Sequence, residues 1–311
     1  MANHCPTSQA YEGRMRGLAQ DYKNKGVAVV GISSNHPAAL RLDEYGYTDI
    51  GDSFEEMKQR AKDRGFNFPY LYDGDTQEAA KAFGAIATPH VFIFDKERKL
   101  KYVGRVDDGE NIIKVKTHDA RNAINAVLAG EKVPVEKTKV FGCSIKWKYK
   151  IESAKKTEAK MNAEKIAVEM IDIEGIKDLL KNKSDKLILV NFWSTWCAPC
   201  VAEFPELVKI FRNFRKRKFD MITVSLDAPD KDEQVLKFLQ KTYASTKNYH
   251  FKSENKYDLI ESVDKNWPGA LPYTILVKPG GEILYQKSGA VDGVEVRKVI
   301  VEYLGRYWEH L

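Results

Sequence analysis

Residues 190–205 read VNFWSTWCAPCVAEFP, and the placement of the two cysteines in this stretch decides how the chain folds. The apolar, β-branched run 187–192 has the length and composition of a buried strand. It delivers Cys197 to the start of a helix, with Cys200 three residues on, within the first turn. The unpaired N–H groups of a helix start stabilise a thiolate, so an exposed thiol there has a pKa below the ~8.5 of a free cysteine. Cys197 is therefore the candidate nucleophile. Cys200, one turn deeper, is the thiol that attacks the resulting mixed disulfide. Pro199 between them helps to set the helix start and the redox poise. Val201, Phe204, Leu207, Val208 and Phe211 fall on one helical face, which docks the helix against a sheet.

The competing readings of a C-x-x-C pair are a structural disulfide and half of a zinc site. Zinc needs a second Cys or His pair at ligand spacing, and the second half of the chain offers none near this loop. A C-x-x-C at a strand-to-helix junction in a βαβ pattern, with a proline-led strand about seventy residues later, favours redox chemistry. The four cysteines, Cys5, Cys143, Cys197 and Cys200, are too few to staple a chain of 311 residues.

That length allows about two domains, each burying its own core. The 43% hydrophobic and 30% charged composition is that of a globular protein rather than a disordered or fibrous one. No apolar run approaches the ~20 residues that would cross a bilayer. The formal charge of +6 is spread over mixed-sign segments without a nucleic-acid motif, which argues against nucleic acid as a partner. No charged and apolar leader follows Met1, so no secretory signal is present in the sequence.

Strands and helices alternate from end to end, the mark of an α/β protein. In the first half a helical segment leads to the strand VAVVGIS (27–33), two further helices flank FPYLYD (68–73), and ATPHVFIFDKERKLKYVGRV (87–106) reads as two strands around a charged turn before a last helix. The second half repeats the plan from the helix DIEGIKDLLKN (172–182) through the hairpin ALPYTILVKPGGEILYQKSG (270–289) to a closing helix. Between them, 131–166 is Lys-rich and poor in large apolar residues, as expected of a linker. The halves thus read as a diverged repeat. Pro89 follows Cys5 by 84 residues and Pro272 follows Cys200 by 72, a difference that fits a surface insertion at 36–52.

With NFWSTWCAPC, the following EFP, and LPYT in view, the second half resembles a thioredoxin over residues 168–306, and more closely the TlpA/ResA-like extracytoplasmic thioredoxins. The resemblance implies that Pro272 is a cis-proline facing the dithiol, in a loop with Leu271 whose backbone pairs with bound substrate. It implies that Trp196 flanks the nucleophile and that Glu203 assists proton transfer. Asn191 departs from the buried Asp of thioredoxins proper, which raises the importance of Glu203. The first half resembles the redoxin or AhpC/TSA type of thioredoxin-like domain over residues 3–147. A branch of that group carries CNHCP and ends in GCSIKW; here the chain reads ANHCP and GCSIKW, with Cys5 in the second thiol position, Ala2 in the first, and Cys143 in the terminal segment. Thr88 and Pro89 match its cis-proline loop. A peroxiredoxin site would need Thr or Ser three residues before the nucleophile, which Ser194 satisfies, and Pro seven before, where Val190 stands; with the C-x-x-C the wrong resolving arrangement as well, peroxide reduction is disfavoured as the main activity. His4 and His90 flank Cys5, where ordinary polar and packing roles are favoured over a Cys/His metal site. His36, His118, His250 and His310 show no ligand spacing.

The expectation is two tandem thioredoxin-like αβα sandwich domains, the first (1–130) lacking its N-terminal strand through truncation or degeneration, then a linker (131–166) and a second domain (167–311). The expected activity is thiol-disulfide exchange with protein substrates through Cys197 and Cys200, with a redox partner protein and without metal or organic cofactor. The first-domain site of Cys5, Thr88 and Pro89 is expected to be degenerate. The alternatives are a non-catalytic thioredoxin-fold scaffold and a thiol-dependent peroxidase of the AhpC/TSA type. The resemblance implies a bacterial periplasmic or cell-envelope setting.

Overall fold

The computed structural model describes residues 1–253 and 255–306, so His310 lies outside the described residues. The chain forms two compact units: residues 1–41 and 47–154 with Gly305 and Arg306, and residues 42–46 with 155–304. The division falls inside the Lys-rich stretch, between Ala154 and Lys155.

The first unit runs α1 (Pro6–Tyr22), β1 (Gly31–Ser33), α2 (Phe54–Asp63), β2 (Tyr70–Tyr72), α3 (Glu78–Phe83), β3 (Ala87–Thr88), β4 (Val91–Phe94), β5 (Leu100–Gly104), α4 (Asp119–Ala129) and β6 (Cys143–Ser144). Its strands pair only two at a time. β1 lies parallel to β2, β4 antiparallel to β5, and β3 antiparallel to β6. Among the described residues no strand joins β1 to β4. A cavity of about 390 Å³ is lined by Ile32 of β1, Val91 and Ile93 of β4, Tyr11 of α1 and Ile124 of α4. The segment after β1, expected as a surface insertion, is partly core instead: Thr48, Ile50 and Asp52 are buried. Asp52 accepts the backbone N–H groups of Asn3 and His4 at 2.6 and 3.2 Å, and a carboxylate withdrawn from water needs such donors.

Helix α5 (Ile151–Asn162) carries the chain across the division. The second unit follows as β7 (Glu169–Ile171), α6 (Ile173–Leu180), β8 (Leu187–Trp193), α7 (Ala198–Phe214), β9 (Phe219–Ser225), α8 (Asp232–Lys241), β10 (Lys247–Phe251), α9 (Tyr257–Val263), β11 (Tyr273–Val277), β12 (Ile283–Ser288) and α10 (Gly293–Leu304). Its sheet has six strands in the order β12-β11-β8-β9-β10-β7. β8, β9, β10 and β7 are parallel, while β11 is antiparallel to both β8 and β12.

β8 reads as a nearly unbroken apolar run because helices cover both faces of the sheet, and all seven of its residues are buried. Successive side chains alternate between the faces. Ile188, Val190 and Phe192 pack with Ile176 of α6 and Leu259 of α9, whereas Leu187 and Leu189 pack with Leu207 and Ile210 of α7 and Val296 and Ile300 of α10. The result is an αβα sandwich. Two strands were not legible beforehand. β7 is three residues long, and β10 buries polar Asn248 and His250, which obscure any apolar alternation. Asn248 is tolerated there because it accepts the Thr223 hydroxyl at 2.8 Å and donates to the Ala244 carbonyl at 2.9 Å.

Phe192 has no exposed surface and its ring lies 5.0 Å from that of Trp267. Phe192→Ala is expected to lower the stability of the second unit by about 3–5 kcal/mol, as a displaced midpoint in urea unfolding followed by tryptophan fluorescence.

Candidate active site

β8 ends at Trp193, and the chain turns through Ser194, Thr195 and Trp196 to reach α7. Asp227, just past the end of β9, holds that turn. Its carboxylate accepts the Thr195 N–H at 3.0 Å and the Thr195 hydroxyl at 2.5 Å, and Ser225 Oγ donates to it at 2.7 Å. Behind it the buried His250 contacts the Asp227 carbonyl through Nε2 at 3.2 Å and pairs with the Asp232 carboxylate through Nδ1. No motif marks Asp227, and His250 stands out in the sequence only for its lack of ligand spacing. The signal available was only SLD at the end of a strand, which does not announce a buried carboxylate.

Cys197 is the N-cap of α7, with extended backbone at φ −86° and ψ 101°. Its Sγ accepts the Cys200 N–H at 3.3 Å, so the sulfur occupies the place of a capping oxygen. Cys197 and Cys200 are joined as a disulfide with Cα atoms 5.2 Å apart. Cys200 has no exposed surface and Cys197 keeps a small exposed edge.

Of the remaining expected site residues, Trp196 and Leu271 share a cavity with Cys197. Trp196 is strongly exposed and carries Lys256 Nζ over its ring at 5.3 Å. The Leu271–Pro272 bond is cis. Leu271 packs against the cluster that contains both cysteines and, with Trp196, Cys197, Pro199 and Trp267, lines a cavity of about 380 Å³. The Pro272 carbonyl accepts Gly289 N–H at 2.8 Å.

Glu203 lies one turn beyond Cys200 on the buried side of α7. Asn191 of β8 donates to its Oε1 at 3.2 Å and to Thr274 Oγ1 at 2.9 Å, and the Val291 N–H donates to Oε2 at 2.8 Å. Burial pushes the Glu203 carboxyl up to about 7, against the two hydrogen bonds, which favour the charged form. A carboxyl poised there can give or take a proton near neutrality.

In the first unit, Cys5 caps α1, its Sγ accepting the Ser8 N–H at 3.4 Å and donating to the Thr88 carbonyl at 3.2 Å. The Thr88–Pro89 bond is cis. His4 is held against the Asp52 carboxylate, which Asn35 Nδ2 also reaches at 2.9 Å. Burial disfavours the His4 cation, but the Asp52 charge outweighs it and raises the pKa. Burial likewise opposes the Cys5 thiolate, yet its hydrogen bond with Cys143 and the nearby His4 hold the thiol well below its ordinary range. His90 packs its ring on Phe92 with centroids 4.4 Å apart.

Residues 185–283 match a family model described as thioredoxin-like, and residues 1–103 match that of the AhpC/TSA family. The chain is similar to the thiol-disulfide oxidoreductase ResA of Oceanobacillus iheyensis, 29% identical over 124 residues, covering 40% of this chain and 55% of that protein. It is also similar to ResA of Bacillus thuringiensis subsp. konkukian, 28% identical over 150 residues, covering 47% of this chain and 79% of that one. The chain thus spans little more than half the length of the first of these relatives. Among solved structures, an uncharacterized conserved protein from Geobacillus kaustophilus is 42% identical, covers 48% of this chain and 74% of its own, and has a TM-score of 0.41. A thiol:disulfide interchange protein from Bacteroides sp. is 24% identical over 46% of this chain and 89% of its own, with a TM-score of 0.36.

The folded state holds the Glu203 proton more tightly than the unfolded chain does. Its contribution to stability is fully present below the ordinary carboxyl value of 4.5 and is lost as pH rises through about 7. Glu203→Gln, which cannot ionise, is expected to gain stability relative to the parent across that window. Urea unfolding at both ends of the window checks this, and a constant difference between the two proteins would count against a desolvated carboxyl.

Proposed function

The chain is a tandem thioredoxin-like protein, its first domain of the AhpC/TSA type and its second of the TlpA/ResA-like kind, and from that premise we propose that the second domain exchanges disulfides with protein substrates through Cys197 and Cys200. The observation that carries this reading is the seating of Cys197 as the cap of α7, with Cys200 fully buried one turn below it. In the reduced form the cap N–H and the helix start stabilise a Cys197 thiolate. That thiolate attacks a substrate disulfide and expels one substrate sulfur, leaving a mixed disulfide on Cys197. Cys200 then loses its proton, attacks Cys197 Sγ and expels the second sulfur, which restores the Cys197–Cys200 disulfide and leaves the substrate reduced. The reverse sequence oxidises a substrate dithiol, and the couple's reduction potential against its compartment sets the direction.

The buried Cys200 proton needs a route. Glu203, protonatable near neutrality and oriented by Asn191, is the group proposed to relay it. Trp196 and the Leu271–Pro272 loop flank the exposed edge of Cys197, and a substrate backbone laid along this loop is the proposed binding mode. A second protein that reduces or oxidises the couple between turnovers completes the cycle. The dithiol itself carries both electrons, so the proposed chemistry calls for no metal or organic cofactor. No helix among the described residues is long and apolar enough to cross a membrane.

Insulin reduction coupled to dithiothreitol tests the reading. Cys197→Ser is expected to abolish turnover, and Cys200→Ser to accumulate a mixed disulfide visible as a protein adduct on a non-reducing gel. Undiminished turnover by Cys200→Ser would refute the two-step mechanism.

A further inference from the structure

Cys5 occupies on α1 the position that Cys197 occupies on α7: it is the N-cap, and its sulfur accepts an N–H from the first turn. On its other side the Cys5 thiol meets the Thr88 carbonyl at 3.2 Å. β3 and β6 pair so that Cys143 stands directly opposite Thr88, and Thr88 Oγ1 donates to the Cys143 carbonyl at 3.4 Å. Cys5 and Cys143 thus meet at Thr88, Cys5 through its thiol on the Thr88 carbonyl and Cys143 as the strand partner of the same residue. Gly142 makes this approach possible. At φ +139° it adopts a conformation that L side chains rarely enter, and a Cβ there would collide with the Thr88 carbonyl. Cys5 is wholly buried, whereas Cys143 is only partly covered. One thiol is reachable and its partner shielded, the division of labour an exchanging dithiol requires.

We propose that Cys5 and Cys143 form a second redox couple, in the first domain, that exchanges with disulfides of low-molecular-weight thiols or proteins independently of Cys197 and Cys200. The step starts with Cys5 as a thiolate beside His4 and Cys143 as a thiol. The Cys143 proton passes to Cys5, and the Cys143 thiolate attacks one sulfur of an external disulfide RSSR, releasing RS⁻ and forming a Cys143 mixed disulfide. RS⁻ takes the proton from Cys5 and leaves as RSH. The Cys5 thiolate then attacks Cys143 Sγ, expelling the second RS⁻ and closing the Cys5–Cys143 disulfide. RSSR is reduced by two electrons and the pair is oxidised by two.

The full-length chain carrying Cys197→Ser and Cys200→Ser isolates this couple. Reduced, and then treated with glutathione disulfide, it is expected to lose two hydrogens in intact mass and to yield a Cys5–Cys143 linked peptide on non-reducing digestion. Two thiols that still alkylate with iodoacetamide, or a separate glutathione adduct on each, would overturn the proposal. Adding Cys5→Ser to that background is expected to leave glutathione on Cys143, at roughly tenfold or more the level in the parent. A Cys143 adduct no more abundant than in the parent would also overturn it. Should that triple variant fail to fold, the linked peptide in the parent decides alone. The outcome is separate from that of the insulin assay, because Cys197 and Cys200 are absent from every protein compared.

Discussion

The two-sided burial of β8 is the constraint on which the second domain depends. A strand flanked by β9 and β11 and covered by helices on both faces has no freedom of register, since a shift by one residue would exchange the side chains of its two faces. Its end is therefore placed by the whole core. Cys197 follows after a short turn pinned by Asp227, so the sulfur arrives at the start of α7 in a position that side-chain packing alone could not hold.

The same burial sets the protonation of Glu203. Asn191 sits at the fifth position of β8 with no exposed surface, and α7 crosses it so that Glu203 faces the amide. A charged residue at 191 would add a second ionisable group to a dry interior, at a large desolvation penalty. Asn supplies a donor without that penalty and orients the single carboxylate. The raised pKa of that carboxyl is thus set mainly by burial.

The first domain shows what changes when the central position between two strands is not filled by a strand. Its pairs β1–β2 and β4–β5 remain separate among the described residues, and its cavity is lined from both. Yet the cis-Pro89 loop, the helix cap at Cys5 and the buried His4–Asp52 pair are all present. The helix cap is local, whereas the His4–Asp52 pair and the Cys5–Thr88 contact join residues 48 and 83 positions apart. Cys5 in the sequence looks like the survivor of a pair with an alanine. In the structure it lies at a helix cap against Cys143, a residue far along the chain, because β6 returns beside Thr88.

The α/β order, the repeat and the arrival of Cys197 and Cys200 at a strand-to-helix junction were legible in the sequence, because each rests on local spacing: an apolar run and a C-x-x-C at a helix start. Tertiary structure decided what depends on groups distant in sequence. Asp227 and His250 hold the active-site turn from beyond β9 and from β10, where no motif marks them. The elevated pKa of Glu203 follows from how deeply α7 is packed, which composition does not reveal. Asp52 lies in a stretch that reads as a loop and becomes core only because His4 and Asn3 need its carboxylate. Burial and long-range hydrogen bonds are properties of the assembled sheet and its helices, and a linear pattern carries no record of which polar residues they will enclose.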